Sequence, residues 1–311
     1  MGLIKTFKLS ANPVVEGVTA VGRSKYAIAI KKTNGNILLD KGNAKFISNL
    51  PIIFVRGVIK LFEAGALLYK TLLYSAEYFD SEVKEEGETE ILFKEEWLKN
   101  QDKAKAENSL AWLKFFGTLV LMLAVILGFF ILPVVISSLF SNNYGDGQWI
   151  LFNVIECISR IVLLIIGFVV FKFAGGVFAN IRQYSCAINK VLNCFEADRE
   201  LSIENVKQAY KFHPRALSYI FFLSIVICSI ALIFVKMDSL FLAFLIRAGV
   251  LVLSIGVAYE ISRLFGMFNG GVSKTISMIC GMWIEYFTVT EPNDIQLYVA
   301  IAAVKNAMIE D

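Results

Sequence analysis

The sequence predicts a mainly α-helical fold: a polytopic membrane helix bundle of four spanning helices, with interfacial and amphipathic helices and a small N-terminal β element. The chain of 311 residues is 57% hydrophobic and only 18% charged, whereas soluble domains are about 45–50% apolar and about 25% charged. Four segments are apolar for about the 20 residues that crossing a bilayer requires. The loops that join them differ strongly in lysine and arginine content.

The four apolar segments cover 115–139, 150–173, 216–236 and 239–261. Loop 140–148 contains no lysine or arginine, whereas 174–215 contains six, and the chain before the first segment is rich in lysine. Basic loops remain on the cytoplasmic side of a membrane. We therefore expect 174–215 and both chain termini to be cytoplasmic.

The chain divides into three parts. Residues 1–50 are predicted to be a cytoplasmic β-hairpin region, because 25–42 alternate apolar and polar positions on both sides of Asn34-Gly35, a signal for a type I′ turn. Residues 51–110 predict an amphipathic interfacial helix followed by a charged linker helix; whether 50–79 spans, re-enters or lies on the membrane stays open. Residues 111–311 form the four-span bundle.

Two helices outside the spans are predicted within that last part. In the cytoplasmic helical segment 174–215, Ser202 caps a helix that we expect to reach Lys211. The C-terminal amphipathic helix, 291–311, has Ile295, Val299, Ala302 and Ala303 on its apolar face.

Composition excludes several classes of site. The net charge of +3 is small and no basic run is interleaved with aromatic residues, so we expect no nucleic-acid partner. None of the five cysteines lies in a CxxC pair. We therefore expect no disulfide framework, no zinc site and no cofactor.

Three charged residues lie inside the apolar segments and away from the ends of these segments: Glu156, Arg160 and Arg247. Glu156 and Arg160 are four residues apart on one helix face. They are either a pair that reaches the membrane surface or a buried ion pair that lines a cavity. Arg247 lies about 8 residues into its segment, too deep to reach the surface easily. Because an unpaired charge in lipid costs about 2.5–3.5 kcal/mol, we expect Arg247 to pair with Glu156.

Several motifs together resemble the YqhQ-type family of bacterial polytopic membrane proteins. The resemblance covers nearly the whole chain in order and is carried by VVEGVT (14–19), FVRGVIKLFEA (54–64), NVIECISR (153–160), NCFEADRELSIENV (193–206), FHPR (212–215), YEISRL (259–264) and GMWIEYFTVTEPNDIQLYVAIAA (281–303). This family is a domain of unknown function, sometimes described as a predicted metal-dependent enzyme. The resemblance implies a multi-pass protein of the bacterial plasma membrane.

The chain departs from that family at residues 183–190. Family members typically read QYHGAEHK where this chain reads QYSCAINK, so Ser185, Ile188 and Asn189 replace a histidine, a glutamate and a second histidine. The Cys-Gly-Thr that follows HPR in the family is also absent. Two histidines and a carboxylate could hold zinc or manganese, but serine, isoleucine and asparagine are poor substitutes. The resemblance therefore implies a degenerate polar site with no metal.

The remaining polar residues of these motifs are expected to form a cytoplasmic-face polar cluster. Ordinary alternatives are a helix-end histidine bonded to backbone for His213, and solvated carboxylates or local salt bridges for Glu16, Glu63 and Glu196. The residues assigned to the cluster are Glu16, Glu63, Asn189, Lys190, Glu196, His213, Arg215, Tyr259, Glu260 and Arg263.

Three functions are compatible with these features. The first is a non-enzymatic scaffold or binding protein whose partners are the lipid bilayer and another membrane protein, a lipid or a second copy of the chain. The second is a membrane-embedded enzyme acting on a lipid or headgroup, although no catalytic residue can be assigned. The third is a transporter, which only Glu156 and Arg247 support. Loss of the ligand set with retention of the surrounding motifs favours the first.

Overall fold

The structure is a computed structural model in which part of the chain is described. The described residues are 9–43 without 15, 23 and 32–36; 52–63 without 61; 128; 131–140; 148–236; 240–267; and 271–308. Within them the protein is mainly helical, with a small N-terminal antiparallel sheet. Residues 64–110, which include the expected charged linker helix, lie outside the described residues.

The N-terminal sheet has four strands in sequential order: β1 (Ser10–Val14), β2 (Gly17–Val21), β3 (Lys25–Lys31) and β4 (Ile37–Asn43). The two central strands are the most buried, because β2 and β3 supply apolar side chains to the core. Gly17 is required where β2 meets β3, since an added Cβ there would lie 2.3 Å from the Ala29 carbonyl oxygen.

The β3–β4 hairpin forms as expected, but its register differs from the predicted one. A two-residue turn at Asn34-Gly35 would place Lys31 opposite Leu38, whereas the structure pairs Lys31 with Ile37. This register does not match a two-residue turn at Asn34-Gly35. The turn residues themselves lie outside the described residues.

The helices follow in chain order. They are α1 (Ile131–Phe140), α2 (Trp149–Phe173), α3 (Val177–Glu196), α4 (Ile203–Gln208), α5 (Leu217–Ile233), α6 (Leu240–Met267), α7 (Gly271–Ile279), a short 3₁₀ helix (Met282–Ile284), α8 (Glu285–Thr288) and α9 (Asp294–Met308).

Two of these helices are long and apolar enough to cross a membrane. They are α2 and the part Leu242–Met267 of α6. In the most apolar 18-residue stretch of these two helices, only 22% and 28% is buried inside the protein. The described parts of the other two expected spans are shorter, as α5 has 17 residues and α1 covers Ile131–Phe140. Residues 115–127 of the first expected span lie outside the described residues.

Helix ends follow local capping chemistry. The Ser202 hydroxyl accepts a hydrogen bond from the Asn205 amide at 3.3 Å, as the sequence predicts. The helix ends at Gln208 and not at Lys211, because Ala209 is extended. At the start of α9, the side chains and amides of Asn293 and Gln296 bond reciprocally at 2.9 Å, which is a capping-box arrangement.

The C-terminal helix α9 packs between the sheet and α3, in a shared core of buried apolar residues. Val299 and Ala303 are buried as predicted, but Ile295 is 45% exposed and Ala302 is only partly buried. The predicted single face was wrong because α9 is covered on two sides. Helix α9 therefore belongs with the N-terminal strands in one α/β layer.

Residues 52–60 dock on the later part of α6. Contact is close at two glycines: an added Cβ at Gly57 would lie 2.7 Å from Tyr259 Cβ, and one at Gly256 would lie 2.5 Å from the Phe54 carbonyl oxygen. The backbone of Phe54 has a φ of 67°, a left-handed conformation that is uncommon for a bulky residue.

Candidate functional sites: three polar clusters

The polar residues selected from the sequence lie in three groups: a charge cluster between α2 and α6, an ion pair between residues 52–60 and α6, and a buried junction between α3 and the segment 207–215. Glu16 lies apart from these clusters, on the α/β layer.

The charge cluster joins Glu156 and Arg160 of α2 to Arg247 of α6. Arg247 donates from Nε to Glu156 Oε1 at 3.0 Å and from Nη2 to Oε2 at 2.6 Å. Arg160 donates from Nη2 to Glu156 Oε1. The exposed fractions are 2% for Glu156, 1% for Arg160 and 7% for Arg247. The geometry brings Arg247 and Glu156 together and favours the buried ion pair over the surface pair for Glu156 and Arg160.

The second cluster is an ion pair between Arg56 and Glu260. Arg56 donates from Nε to Glu260 Oε1 at 2.6 Å, and its Nη2 lies on the other carboxylate oxygen. Tyr259 faces the same segment, with its hydroxyl 3.5 Å from Lys60 Nζ. From the sequence, Tyr259 and Glu260 are expected to lie with Glu196 and His213. Tyr259 lies close enough to Arg215, the partner of Glu196, for their charges to interact, whereas Glu260 pairs with Arg56. Residues 52–60 occupy the face of α6 on which Glu260 lies.

The stretch 183–197 lies on α3 and immediately after it, and binds the segment 207–213 through its side chains. Asn189 donates to the Lys211 carbonyl at 3.0 Å, Lys190 to the Lys207 carbonyl at 3.1 Å, and Asn193 to the Tyr210 and Phe212 carbonyls at 2.8 and 2.9 Å. Ser185 bonds only to the Ile181 carbonyl of its own helix, at 2.8 Å. Asn189, Lys190 and Asn193 therefore supply hydrogen-bond donors to backbone carbonyls at the end of α4 and in the segment that follows it.

His213 lies at the end of the segment 207–213, where it is a buried and neutral imidazole. Its Nδ1 accepts a hydrogen bond from the Arg215 amide at 3.2 Å, and its Nε2 lies 3.2 Å from Glu196 Oε1, which also accepts from Arg215. Burial, reinforced by the charge of Lys274, lowers the pKa of His213 from 6.5 to about 3. The histidine therefore bonds to backbone, as the ordinary alternative expected, and also lies beside Glu196.

Glu285, the carboxyl at the centre of this junction, is not among the site residues predicted from the sequence. It is fully buried, and its Oε2 accepts from the His213 amide at 2.8 Å and from Asn189 at 3.4 Å. Burial raises the pKa of Glu285 well above its usual 4.5, because the charged carboxylate is disfavoured away from water. Its position within the apolar run MWIEYF was the signal, since a lone carboxylate between large apolar residues is rarely solvated.

The remaining predicted residues occupy separate positions. Glu16 lies at the β1–β2 turn with a φ of 57° and accepts a hydrogen bond from Asn180 of α3. Glu63 is half-buried at the end of the described segment 52–63. Arg263 lies near both Glu260 and Arg215, so it connects the second cluster to the junction.

The junction has little capacity for metal binding or nucleophilic chemistry. Among the described residues, no three histidine, cysteine or carboxylate side chains are grouped to hold a metal ion. Burial raises the pKa of the Cys186 thiol to about 12, so this cysteine remains a thiol, and the thiolate is the reactive form. The geometry indicates a structural role for the stretch that resembles a metal site.

Comparisons with known proteins extend the resemblance noted from the motifs. A family model described as "Protein of unknown function (DUF1385)" matches residues 50–310. The chain is similar to "Uncharacterized protein YqhQ" of Bacillus subtilis (strain 168), with 28% identity over 297 residues, which are 93% of this chain and 88% of that protein. No solved structure matches the chain.

Proposed function

The chain belongs to the DUF1385 family, and we propose that it is a multi-pass protein of the bacterial plasma membrane that acts as a non-enzymatic scaffold. In this proposal four apolar segments anchor the α/β layer at the cytoplasmic face, and the membrane-facing surface binds another membrane protein or lipid. One observation carries the proposal: Asn189, Lys190 and Asn193 donate hydrogen bonds to backbone carbonyls. These polar side chains of α3 therefore stabilise the fold, which favours a structural role over a catalytic one.

The distribution of polarity supports the membrane assignment. On α2 and α6 large apolar side chains face outward, including Ile158, Val170 and Leu253, which are 57%, 63% and 65% exposed. The charged residues Glu156, Arg160 and Arg247 face inward. Soluble proteins show the opposite arrangement, whereas intramembrane charges face the bundle interior.

An interfacial region on the cytoplasmic side is consistent with the same placement. Helix α7 exposes Val272 and Ile279, at 75% and 78%. Lys172, at the end of α2, lies over the ring of Tyr286 in α8, with its Nζ 3.5 Å from the ring centre. Aromatic and basic residues concentrate at membrane–water interfaces, so this region marks the boundary between the bundle and the α/β layer.

Site-specific photo-crosslinking in cells tests the scaffold proposal. A photoreactive amino acid would replace Ile158, Val170 or Leu253, with the buried Leu164 of α2 as the matched control. We expect discrete protein adducts from the exposed positions, or lipids retained by the purified chain in native mass spectrometry, and no adduct from Leu164. Neither adducts nor retained lipid would contradict the proposal.

The enzyme alternative is favoured by one observation, the buried Oε1 of Glu285, which has no hydrogen-bond partner among the described residues. A lipid headgroup reaching this carboxyl would support that function. Elemental analysis of the purified chain distinguishes the two. The scaffold proposal predicts less than one transition metal per chain, and Ser185→His with Asn189→His should raise the metal content. Stoichiometric metal that is lost on His213→Ala would favour the enzyme.

A further inference from the structure

The α2–α3 turn, residues 171–182, contains a buried arginine that has no carboxylate partner among the described residues. Arg182 is only 7% exposed. Its Nη1 donates to the Phe171 carbonyl, and its Nε donates to the Thr290 hydroxyl at 3.4 Å. Both acceptors are neutral. The Nη2 group donates to none of the described residues and is not fully buried. The guanidinium therefore offers one free nitrogen at the surface of the turn.

A second cation, Lys172, lies in the same turn. It follows Phe171 in the chain, and its Nζ lies over the rings of Tyr286 and Phe287, 3.5 and 5.4 Å from the ring centres. No carboxylate in the described part of the chain forms an ion pair with it. An ammonium group has three N–H donors, so contact with a ring face leaves donors free for another ligand.

Aromatic contacts hold the two cations at the same end of α2. The Phe171 ring packs edge-on against Phe178 of α3, with the ring centres 5.7 Å apart. Arg182 Cζ lies 5.5 Å from the centre of the same Phe171 ring. Arg182 therefore lies against the residue that immediately precedes Lys172.

The carboxylates nearest to this turn in the described structure are paired with other residues. Glu16 accepts a hydrogen bond from Asn180 of α3. Glu291, which follows Thr290, pairs with Lys190. The turn thus carries two positive charges to which these carboxylates are not bonded, and a cation away from water is costly without a counter-charge.

The surface around the two cations is apolar. Phe173, Val177 and Phe178 are each more than half exposed, and they continue the outward apolar surface of α2 at Val170. The backbone between them is open, because an added Cβ at Gly175 or Gly176 would meet nothing within 4 Å. A ligand with an anionic part and an apolar part matches this surface, and a phospholipid has both.

We propose that the α2–α3 turn binds an anionic phospholipid of the cytoplasmic leaflet, with Arg182 and Lys172 on the headgroup phosphate and the exposed apolar residues against the acyl chains. The inference rests on the proposed function, because it requires α2 to end at the cytoplasmic face of the membrane. Guanidinium groups match phosphate oxygens in geometry, and basic pockets at the cytoplasmic ends of spanning helices bind anionic headgroups. The headgroup supplies the counter-charge for the two cations.

Native mass spectrometry of the full chain released from nanodiscs tests this site. Nanodiscs that contain phosphatidylglycerol and phosphatidylcholine in equal amounts offer an anionic and a zwitterionic lipid with the same acyl chains. We expect the retained lipid to be enriched in phosphatidylglycerol by about fivefold or more, the factor that one basic residue contributes near anionic lipid. Equal retention of the two lipids would overturn the anionic site and leave the scaffold proposal standing. Loss of all lipid would overturn the site, and together with an absence of cross-linked protein it would contradict the scaffold proposal as well.

A variant and its matched control locate the enrichment. Lys172 is partly buried and makes only ring contacts, so Lys172→Gln should fold and should lower the enrichment by about fivefold. Lys305→Gln is the control, because it removes the same charge from an exposed position on α9, and it should keep the enrichment. Equal enrichment in Lys172→Gln and the unmodified protein would overturn the proposed site.

Soluble glycerol phosphate separates a lipid from a free phosphate compound as the ligand. It carries the phosphate of the headgroup without the acyl chains. We expect a large excess of it to leave the retained phosphatidylglycerol unchanged, since the apolar residues of the turn contribute to binding only with a lipid. Displacement of the phosphatidylglycerol would assign the turn to a soluble phosphate compound and contradict the proposal.

Discussion

Glu156 accepts hydrogen bonds from two arginines, and this unequal ratio determines how single residues of the cluster respond to substitution. Removing either arginine leaves one carboxylate with one guanidinium, whereas removing Glu156 leaves two buried guanidinium groups. From the sequence, Glu156 is expected to pair with Arg247, and whether Arg160 is buried with Glu156 or reaches the membrane surface stays open. The structure joins all three residues and so changes the expected order of the variants.

We predict that Glu156→Leu reduces folded yield more than Arg247→Leu does. Breaking a buried charge pair costs about 3–5 kcal/mol when a charge is left without a partner. The triple variant Glu156→Leu, Arg160→Met and Arg247→Leu should recover part of the yield, because no charge remains. Size-exclusion chromatography of a fluorescent fusion measures the monodisperse fraction. Equal losses in all single variants, with no recovery in the triple variant, would contradict the shared ion pair.

His213 and Glu285 should shape the dependence of stability on pH in opposite directions. Between pH 3 and 6.5 the unfolded chain binds a proton at His213 that the folded protein does not, so this residue lowers stability as pH falls through that range. Above pH 4.5 the unfolded chain releases the Glu285 proton that the folded protein keeps, so this residue lowers stability as pH rises. Above about pH 6.5 the His213 contribution no longer changes with pH.

We therefore predict that Glu285→Gln weakens the decrease in Tm as pH rises above 4.5, since glutamine has no proton to release. Glu291→Gln is the control, because Glu291 is 61% exposed and pairs with Lys190 at the surface, and it should keep the decrease. Differential scanning fluorimetry across this range measures both variants. An unchanged slope in Glu285→Gln would show that Glu285 is ionised in the folded protein.

At the scale of elements, the contact between residues 52–60 and α6 depends on two glycines, Gly57 and Gly256, which have no side chain to separate the backbones. We predict that Gly256→Ala lowers Tm and exposes 52–60, because its Cβ would lie 2.5 Å from the Phe54 carbonyl oxygen. Gly249→Ala on the same helix is the control: nothing lies within 4 Å of its Cβ, and alanine favours a helix by about 1 kcal/mol over glycine. Hydrogen exchange of 52–60 measures the contact. Equal effects of both variants would contradict it.

The binding of segment 207–213 by α3 gives a second prediction at this scale. Asn193→Ala removes the donor to the Tyr210 and Phe212 carbonyls, and a typical intramolecular hydrogen bond contributes about 0.5–1.5 kcal/mol to stability. We expect faster hydrogen exchange in 207–213. Ser185→Ala is the control, since Ser185 bonds only within α3, and should change little. An unchanged hydrogen-exchange rate in 207–213 of Asn193→Ala would contradict the structural role proposed for this stretch.

Local patterns predicted some elements well and others poorly. Hydrophobic length located α2 and α6, and capping chemistry located the start of α4 at Ser202. Strands β1 and β2 were missed, because five-residue strands that contain Pro13 and Gly17 give little alternation. The pairing of Arg56 with Glu260 was missed because it joins residues far apart in the chain, which no local pattern encodes.

On the scale of the whole molecule, the two ends of the chain form one layer. An added Cβ at Gly22 would lie 2.1 Å from the Ala307 carbonyl oxygen, so the sheet and the end of α9 are in direct contact. This contact supports the prediction from loop charge that both termini are on the same side of the membrane. The loop charges predict the same side of the membrane for both ends of the chain, but they do not indicate that the two ends pack together.

Cysteine accessibility in intact cells tests most directly whether this layer is cytoplasmic and the apolar segments cross the membrane. Single cysteines would be placed at Asn143, Asp238, Lys207 and Asp311 in a chain whose five native cysteines are replaced. A membrane-impermeant maleimide should label positions 143 and 238 from outside and label 207 and 311 only after the cells are opened. Labelling of position 311 from outside intact cells would contradict the account.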